Sequence, residues 1–231
     1  MDNFKVGDRI LFGKFPLQQK KSEANIKPQP ILWRIMHIRS NKKRNQNWTK
    51  KILLLSEYGI IEKPYNDDPV IQKITWKTSS LKKWLNTDFF NESFTDEEKK
   101  YIDPITQSIW KRILSFRNNS YITEDRVFIF SLDDVMHYFS ANCVTVPKPI
   151  YDISGNKRGE FNFPSQELKS RGNPETVCYM NGEKDFWWLR NTVYRNEYAM
   201  YIGIDGLAYP EGRLLNGIPG LCVRPAMWIK L

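Results

Sequence analysis

The sequence predicts an α+β protein of one domain, in which a twisted antiparallel sheet carries a few short helices and long irregular loops. Apolar residues alternate or cluster over strand-length stretches, as in Ile31–Ile38 and Lys51–Ser56, which is typical of sheets with a buried face. Aromatic residues make up 14% of the chain, and large rings pack well on pleated surfaces. Because the sequence shows neither a repeat nor a long linker, residues 1–231 are predicted to form a single domain.

The N-terminal part, residues 1–117, is predicted to begin with strands. A first strand is expected within Phe4–Phe15, with a turn near Gly7. A proline-containing loop follows, since proline cannot donate a hydrogen bond within a central strand. Residues 31–56 then have the pattern of a long antiparallel hairpin.

Two helices are predicted after this hairpin. Leu81, Trp84 and Leu85 have the i, i+3, i+4 spacing of one helix face, and the serines before them can act as N-caps. We therefore expect Trp84 and Leu85 to pack beneath the sheet. The second helix should begin at Thr95, where Thr95-Asp96-Glu97-Glu98 has the spacing of a capping box, and end before Pro104.

The C-terminal part, residues 118–231, is predicted to be richer in loops. Val127–Phe130 is a short apolar strand, and Ser131-Leu132-Asp133-Asp134 repeats the capping signature of a helix. Prolines and glycines indicate irregular structure over residues 141–164. One or two helical turns are expected at Ser165–Arg171, before Gly172.

Strands are predicted again toward the C-terminus. Ala199–Tyr209 contains two short strands around Asp205-Gly206, a dipeptide that favours a type I′ hairpin turn, and residues 221–231 form the last strand. Adjacent residues of a strand point to opposite faces. We therefore expect only one of the neighbours Trp187 and Trp188 to lie in the core.

Arg190 and Arg224 lie among aromatic and apolar neighbours on these strands. Arginine is seldom buried without a partner. These side chains either pair with carboxylates and carbonyls that hold the fold together, or face a ligand. Paired interior arginines are the commoner case, so we predict a structural role for both.

The positive charge of the chain is concentrated in its N-terminal part. The net charge is +9, and residues 1–117 contain 23 Lys/Arg against 13 Asp/Glu, whereas the remainder contains 12 against 13. Lys42-Lys43-Arg44 and Lys50-Lys51 flank a polar loop that includes Trp48. This combination predicts either binding of nucleic acid through phosphate contacts or a solvated hairpin tip.

The inventory of reactive residues predicts neither a metal ion nor an organic cofactor. His37 and His137 lie in separate elements and are too few for a three-histidine site. Cys143, Cys178 and Cys222 are far apart and odd in number, as expected for reduced thiols rather than a disulfide scaffold. Glycine-rich phosphate loops and Gly-x-Ser-x-Gly motifs are absent from the sequence.

The location expected from the sequence is cytoplasmic. Membrane spans need about 20 consecutive apolar residues, and the sequence contains no stretch of that kind. The N-terminus also lacks the apolar run of a signal peptide.

Several motifs resemble a family of bacterial domains of unknown function. They are Val6–Gly13, Ile31–Ile35, Leu53–Ser56, Thr75–Asn86, Phe128–Leu132, Trp187–Arg190 and Val223–Ile229, and they occur in the same order as in that family. The resemblance implies that residues 118–231 are similar to the C-type-lectin-like fold of the sulfatase-modifying proteins. It further implies structural roles for the residues of these motifs Trp76, Trp84, Trp188, Arg190 and Arg224.

In the C-type-lectin-like fold, long loops on a sheet bind the ligand. The resemblance therefore implies a ligand face formed by residues 141–164, 191–198 and 210–220. The candidate binding residues within it are Asn191, Tyr194, Arg195, Asn196, Tyr198 and Arg213. Tyrosine, asparagine and arginine bind partners well at little entropic cost, although tyrosines can equally serve to cover a sheet.

Formylglycine-generating activity requires two cysteines close together near the C-terminus. Cys178 and Cys222 are far apart in sequence, so this activity is not expected here. The function predicted is a non-catalytic binding module for a protein, a glycan or a small molecule. The alternatives are a nucleic-acid-associated protein that uses the basic N-terminal part, and an enzyme without a recognisable motif.

Overall fold

A computed structural model describes most of the chain. The described residues are 4–17, 27–42, 48–68, 74–108, 122–139, 149–151, 157–160, 173–193, 197–217 and 220–231.

The strands are short, apart from one long hairpin near the N-terminus. They are β1 Arg9–Phe15, β2 Gln29–Lys42, β3 Trp48–Ser56, β4 Ile61–Lys63, β5 Ile102–Asp103, β6 Ile105–Ser108, β7 Ile122–Asp125, β8 Phe128–Ile129, β9 Pro149–Tyr151, β10 Lys157–Glu160, β11 Cys178–Met180, β12 Glu183–Asp185, β13 Trp187–Val193, β14 Tyr198–Ile202, β15 Ala208–Leu214, β16 Leu221–Val223 and β17 Pro225–Lys230. The helices are α1 Ser80–Trp84, α2 Phe90–Ser93, α3 Asp96–Lys99 and α4 Leu132–Tyr138. A π-helical turn, Leu85–Phe89, joins α1 to α2, and 3-10 turns occur at Trp76–Thr78 and Pro174–Thr176.

Two sheets form the framework. The first has the strand order β1-β2-β3-β17-β5, with β8 also paired to β17, and all of its pairs are antiparallel. The second has the order β15-β14-β13-β16-β4, and only its β13–β16 pair is parallel. The prediction of a mostly antiparallel fold with few short helices is therefore confirmed, as is the long β2–β3 hairpin.

The two sheets meet at the last two strands of the chain. β16 belongs to the second sheet and β17 to the first, and Arg224 alone separates them. The chain passes between the same two sheets a second time at Glu57–Ile60, which connects β3 of the first sheet to β4 of the second. We call the residues Glu57, Gly59, Thr176, Trp187 and Arg224 around these crossings the sheet joint.

The helices begin where the capping patterns predict. The Ser79 hydroxyl accepts a hydrogen bond from Lys82 N at 3.2 Å at the start of α1, and capping boxes at Thr95 and Ser131 open α3 and α4. Leu85 is buried, whereas Trp84 is only half-buried against the rings of Phe15 and Phe89 and the Lys63 ammonium. Within the described ranges, every helix falls short of the length and hydropathy that a bilayer span requires.

The expectation that only one of Trp187 and Trp188 is in the core is wrong, because both are fully buried. Their side chains do point in different directions. Trp187 Nε1 donates to Thr176 O at 3.0 Å, and Trp188 Nε1 donates to Lys63 O at 2.8 Å. The second sheet is covered on both faces at this point, so the alternation of side chains does not place either residue in solvent.

The hairpin around Asp205-Gly206 is confirmed, but its predicted turn type is wrong. Gly206 has a positive φ of 76°, whereas Asp205 does not. Gly206 N donates to Gly203 O at 2.9 Å, and the Asp205 carboxylate accepts from Leu207 N at 3.0 Å. A turn followed by one left-handed glycine replaces the type I′ turn, which requires positive φ at both central residues.

All three segments assigned to the ligand face contain more strand than predicted, and in residues 191–198 the ends of β13 and β14 account for it. Residues 141–164 include the antiparallel pair β9–β10, and residues 210–214 continue β15 rather than forming a loop. Pro210 is tolerated because β15 is the outer strand of its sheet, where a missing N–H breaks no ladder. The predicted helix at Ser165–Arg171 lies outside the described residues.

Candidate functional site

Arg224 is fully buried at the sheet joint and is held by backbone carbonyls. Its Nε donates to Ser56 O at 2.8 Å, and its terminal nitrogens lie 3.3 Å from Glu57 O and 3.5 Å from Thr176 O. The guanidinium also lies 5.3 Å from the ring centroid of Trp187. Burial lowers the pKa of Arg224, and the carbonyls offset the loss of water around the charge.

Arg190 lies in the middle of β13 and faces helix α4. Its Nη2 donates to the Asp134 carboxylate, and its guanidinium stacks on the ring of Phe128 at 5.3 Å. The backbone of the same residue is also held, because Arg190 N donates to Phe130 O and Tyr65 Oη donates to Arg190 O. Both arginines thus tie separate elements together beneath the surface of the second sheet.

A row of aromatic rings runs across β15 and β14 to the residue that precedes β13. Tyr201 and Tyr209 are direct cross-strand partners whose rings stack with centroids 4.9 Å apart and an interplanar angle of 1°. Phe186 contacts Tyr201 edge-on at 5.9 Å. All three side chains are partly exposed. We call Phe186, Tyr201, Asp205 and Tyr209 the tyrosine face.

Asp205 fixes the orientation of Tyr209. Tyr209 Oη donates to Asp205 Oδ2 at 2.5 Å, and this hydrogen bond, with burial as the second cause, raises the pKa of Tyr209 to about 12. The phenol therefore stays protonated at neutral pH. Because the turn at Gly206 holds Asp205 in place, the stacked pair is pre-organised for contact with a partner.

Charged residues border the tyrosine face on the side of β12. The Asp185 carboxylate accepts from Phe186 N at 2.7 Å. Its pKa is raised chiefly by burial, and the nearby Arg213 opposes that rise. A polar groove of about 250 Å³ runs beside it, lined by Glu62, Met180, Asn181, Glu183, Lys184 and Asp185. The aromatic row is thus bordered by groups that can accept and donate hydrogen bonds.

The structure separates the binding residues predicted from the sequence. Tyr194, Arg195 and Asn196 lie outside the described residues. Asn191 is on β13, where its Oδ1 accepts from Leu132 N at 2.8 Å and thereby supports the start of α4. Tyr198 is on β14, paired with Leu214, and Arg213 on β15 is partly exposed near Asp185.

The sequence did not predict a binding role for the residues of the tyrosine face that belong to the β14–β15 hairpin. Tyr201, Asp205 and Tyr209 were assigned only to a hairpin, although Asp-Gly between tyrosine-bearing strands is a signal that could have been followed further. The structure also brings His37 and His137 against the same ring of Tyr138, at 5.8 and 4.7 Å. Among the described residues, however, no three His, Cys, Asp or Glu side chains cluster as metal ligands.

The basic N-terminal part is partly neutralised by internal ion pairs. Glu57 bridges Arg34 and Arg9 at 2.5 and 3.3 Å, and Asp103 pairs with Lys51 and with Lys230. In contrast, Arg39 stacks on Trp228 and Lys50 on Phe4, and neither forms an ion pair within the described ranges. Positive charge therefore remains available near the β2–β3 hairpin.

An apolar groove of about 730 Å³ lies at the β1 edge of the first sheet. It is formed between β1 and the end of α2 and is lined by Leu11, Phe12, Gly13, Lys14, Pro28, Pro30, Glu92, Ser93, Phe94, Thr95 and Glu98. Gly13 N donates to Glu98 Oε1 at 3.0 Å, so one outer amide of this edge strand is already capped.

The comparisons with known proteins bear on the family and not on the activity. A family model, Domain of unknown function (DUF6273), matches residues 49–231, which include every strand from β4 to β17. No curated protein and no solved structure matches significantly. The match covers most of the chain and confirms the predicted kind of family, so the chain belongs to the DUF6273 family of domains of unknown function.

Proposed function

We propose that this protein is a non-catalytic recognition module that binds its ligand on the tyrosine face of a C-type-lectin-like scaffold. The observation that carries the proposal is the stacked pair Tyr201–Tyr209, partly exposed and locked by Asp205. Tyrosine combines a large rigid ring with a polar tip, so it supplies contact area at low entropic cost.

The surroundings favour a ligand with a flat apolar face and polar substituents. The aromatic row offers stacking area, while Arg213 and Asp185 can supply a donor and an acceptor at its border. The buried arginines Arg190 and Arg224 anchor the strands below, which keeps the row rigid. The tyrosine face lies at the end of β14 and β15 that the turn at Gly206 joins, opposite the loops that the lectin-like resemblance implies as the ligand face, so the stacked tyrosines carry this proposal by themselves.

The test is a binding screen on printed glycans and on a displayed peptide library. We expect reproducible ligands for the wild type that are lost in the Tyr201→Ala, Tyr209→Ala double variant. Tyr101→Ala is the matched control, because Tyr101 is 53% exposed and lies outside the tyrosine face. Ligands retained by the double variant, or lost equally in the control, would contradict the proposal.

A second candidate function, nucleic-acid binding, is favoured by Arg39 and Lys50, which lie toward the turn end of the β2–β3 hairpin. Both lie near the basic segment Lys42-Lys43-Arg44, and phosphate contacts release counterions. We expect an affinity for single-stranded DNA that falls steeply with salt and is weakened by Arg39→Gln with Lys50→Gln. Lys99→Gln is the control, because Lys99 pairs with Asp96 on the surface. An affinity independent of salt would argue against this candidate.

A further inference from the structure

The sulfur atoms of Cys178 and Cys222 lie 3.7 Å apart, although 44 positions separate the two residues in sequence. Both side chains are fully buried, and both are free thiols. Cys178 begins β11, and Cys222 lies in β16, next to the sheet joint. The two cysteines are therefore far apart in sequence but neighbours in space.

Gly59, in the connection between β3 and β4, packs directly against the two cysteine side chains. A Cβ atom on Gly59 would come within 1.8 Å of Cys222 Sγ and 3.4 Å of Cys178 Sγ, so only glycine fits there. Gly59 N donates to Tyr179 O at 3.0 Å, which holds β11 against the β3–β4 crossing. Three separate segments thus converge on the two sulfur atoms and hold them together.

The two thiols are electrostatically unequal. The hydrogen bond from Cys222 lowers the pKa of Cys178, burial opposes this effect, and the charge of Arg224 reinforces it. The same hydrogen bond and burial raise the pKa of Cys222. The first proton is therefore lost from Cys178, which becomes the nucleophile, while Cys222 keeps its proton until the second step.

We propose that Cys178 and Cys222 form a redox site that a small hydroperoxide oxidises reversibly to a disulfide between β11 and β16. A disulfide requires the sulfur atoms to close by roughly 1.6 Å, from 3.7 Å to about 2.05 Å. The hydroperoxide reaches the buried sulfur atoms when β11 opens locally. Among the described strands β11 pairs only with β12, and Tyr179, next to Cys178 on β11, is 40% exposed.

The chemistry balances with one peroxide per pair. With hydrogen peroxide as the hydroperoxide, the Cys178 thiolate attacks one oxygen, the O–O bond breaks, and the departing hydroxide takes up the proton that Cys178 released, leaving as water. Cys222 Sγ then attacks the sulfur of the Cys178 sulfenic acid, the S–O bond breaks, and hydroxide leaves with the Cys222 proton as a second water. The two sulfur atoms together lose two electrons, and a dithiol reductant restores both thiols.

The test uses the full chain, reduced and then treated with stoichiometric hydrogen peroxide. We expect the intact mass to fall by about 2 Da, the loss of two hydrogens. Cleavage after Lys184 and Arg213 places the two cysteines on separate peptides, which should appear joined. Closing a loop of this length should raise Tm by on the order of 5–10 °C, and dithiothreitol should reverse the rise.

Two variants complete the experiment. Cys143→Ser should behave like the wild type, and Cys222→Ser should gain oxygen at Cys178 without forming the cross-link. The wild-type peptide map shows whether Cys178 and Cys222 are joined, even if Cys222→Ser folds poorly. A disulfide to Cys143, stable oxygen addition in the wild type, or a folded wild type that stays reduced while its urea-unfolded form is oxidised would overturn the proposal.

Discussion

The sheet joint and the tyrosine face lie on neighbouring strands but place their polar groups in opposite environments. Arg224 at the joint is fully enclosed, and backbone carbonyls surround its guanidinium. Tyr209 on the face is partly exposed, and a single carboxylate holds its hydroxyl. A buried charge without its acceptors costs far more than an exposed hydroxyl without its partner.

This difference separates the residues that hold the fold from those available to a partner. At the joint, each side chain fills buried space or donates to a buried acceptor. Water cannot take over either role after a substitution. On the tyrosine face, water can replace a lost hydrogen bond. Substitutions at the joint should therefore lower the free energy of unfolding, whereas substitutions on the face should mainly change binding.

The largest expected effect is that of Trp187→Ala. Trp187 is fully buried, lies under the Arg224 guanidinium and donates to Thr176 O. We expect a loss of about 3–5 kcal/mol, the range for truncating a buried large aromatic residue. Urea denaturation measures this loss, with Tyr201→Ala as the partly exposed aromatic for comparison. Equal losses in both variants would remove the distinction between joint and face.

Acid should destabilise the joint through Glu57. Burial opposes ionisation of this carboxyl, but hydrogen bonds from Arg34 and Arg9 lower its pKa from 4.5 to about 2. Its contribution is therefore fully present above pH 4.5 and lost as the pH falls toward 2. Protonation of Glu57 should lower the free energy of unfolding by about 3 kcal/mol. Denaturation curves at several pH values should show this loss in the wild type and a smaller one in Glu57→Gln.

Arg224→Met should cost about 1–3 kcal/mol, because the apolar side chain fills similar space but leaves buried carbonyls unmatched. Its strongest acceptor is Ser56 O. Arg213→Met, on the partly exposed strand β15, provides the comparison and should change little. The midpoints of the two urea curves check this order, and a reversed order would mean that Arg213 holds the fold.

The smallest effect on stability is expected for Tyr209. Its raised pKa of about 12 means that its contribution persists below pH 10 and is lost only as the pH rises through 12. An absorbance titration of tyrosinate should show a late phase that loses the share of one tyrosine in Tyr209→Phe and keeps the share of Tyr138, whose pKa is also raised by burial. In Asp205→Asn the share of Tyr209 should move toward the ordinary range. An unchanged phase in both variants would exclude the Asp205–Tyr209 contact in solution.

Local elements were predictable because short-range chemistry specifies them. Thr95 and Ser131 open helices where their side chains meet amides three residues later. The β2–β3 hairpin follows from alternating apolar residues. The prediction of one domain and the binding roles of Tyr194, Arg195 and Asn196 stay predictions.

Long-range placement was predictable only in part. That Arg190 and Arg224 need partners follows from their charge, but which atoms supply them does not. Asp134 is 56 positions from Arg190, and Ser56 is 168 from Arg224. The candidate site shifted for the same reason, since β15 continues through residues 210–214, which the family resemblance implied to be loop.

The sequence by itself determined the long β2–β3 hairpin, the helix starts and the position of the turn at Asp205-Gly206, because each depends on neighbours a few residues away. The tertiary structure alone decided that both tryptophans of β13 are buried, that Tyr201 stacks on Tyr209, and that Cys178 meets Cys222 beside Gly59. Those contacts depend on strand order across two sheets. Strand order is set by the burial of the whole chain at once, and a local pattern carries little information about it.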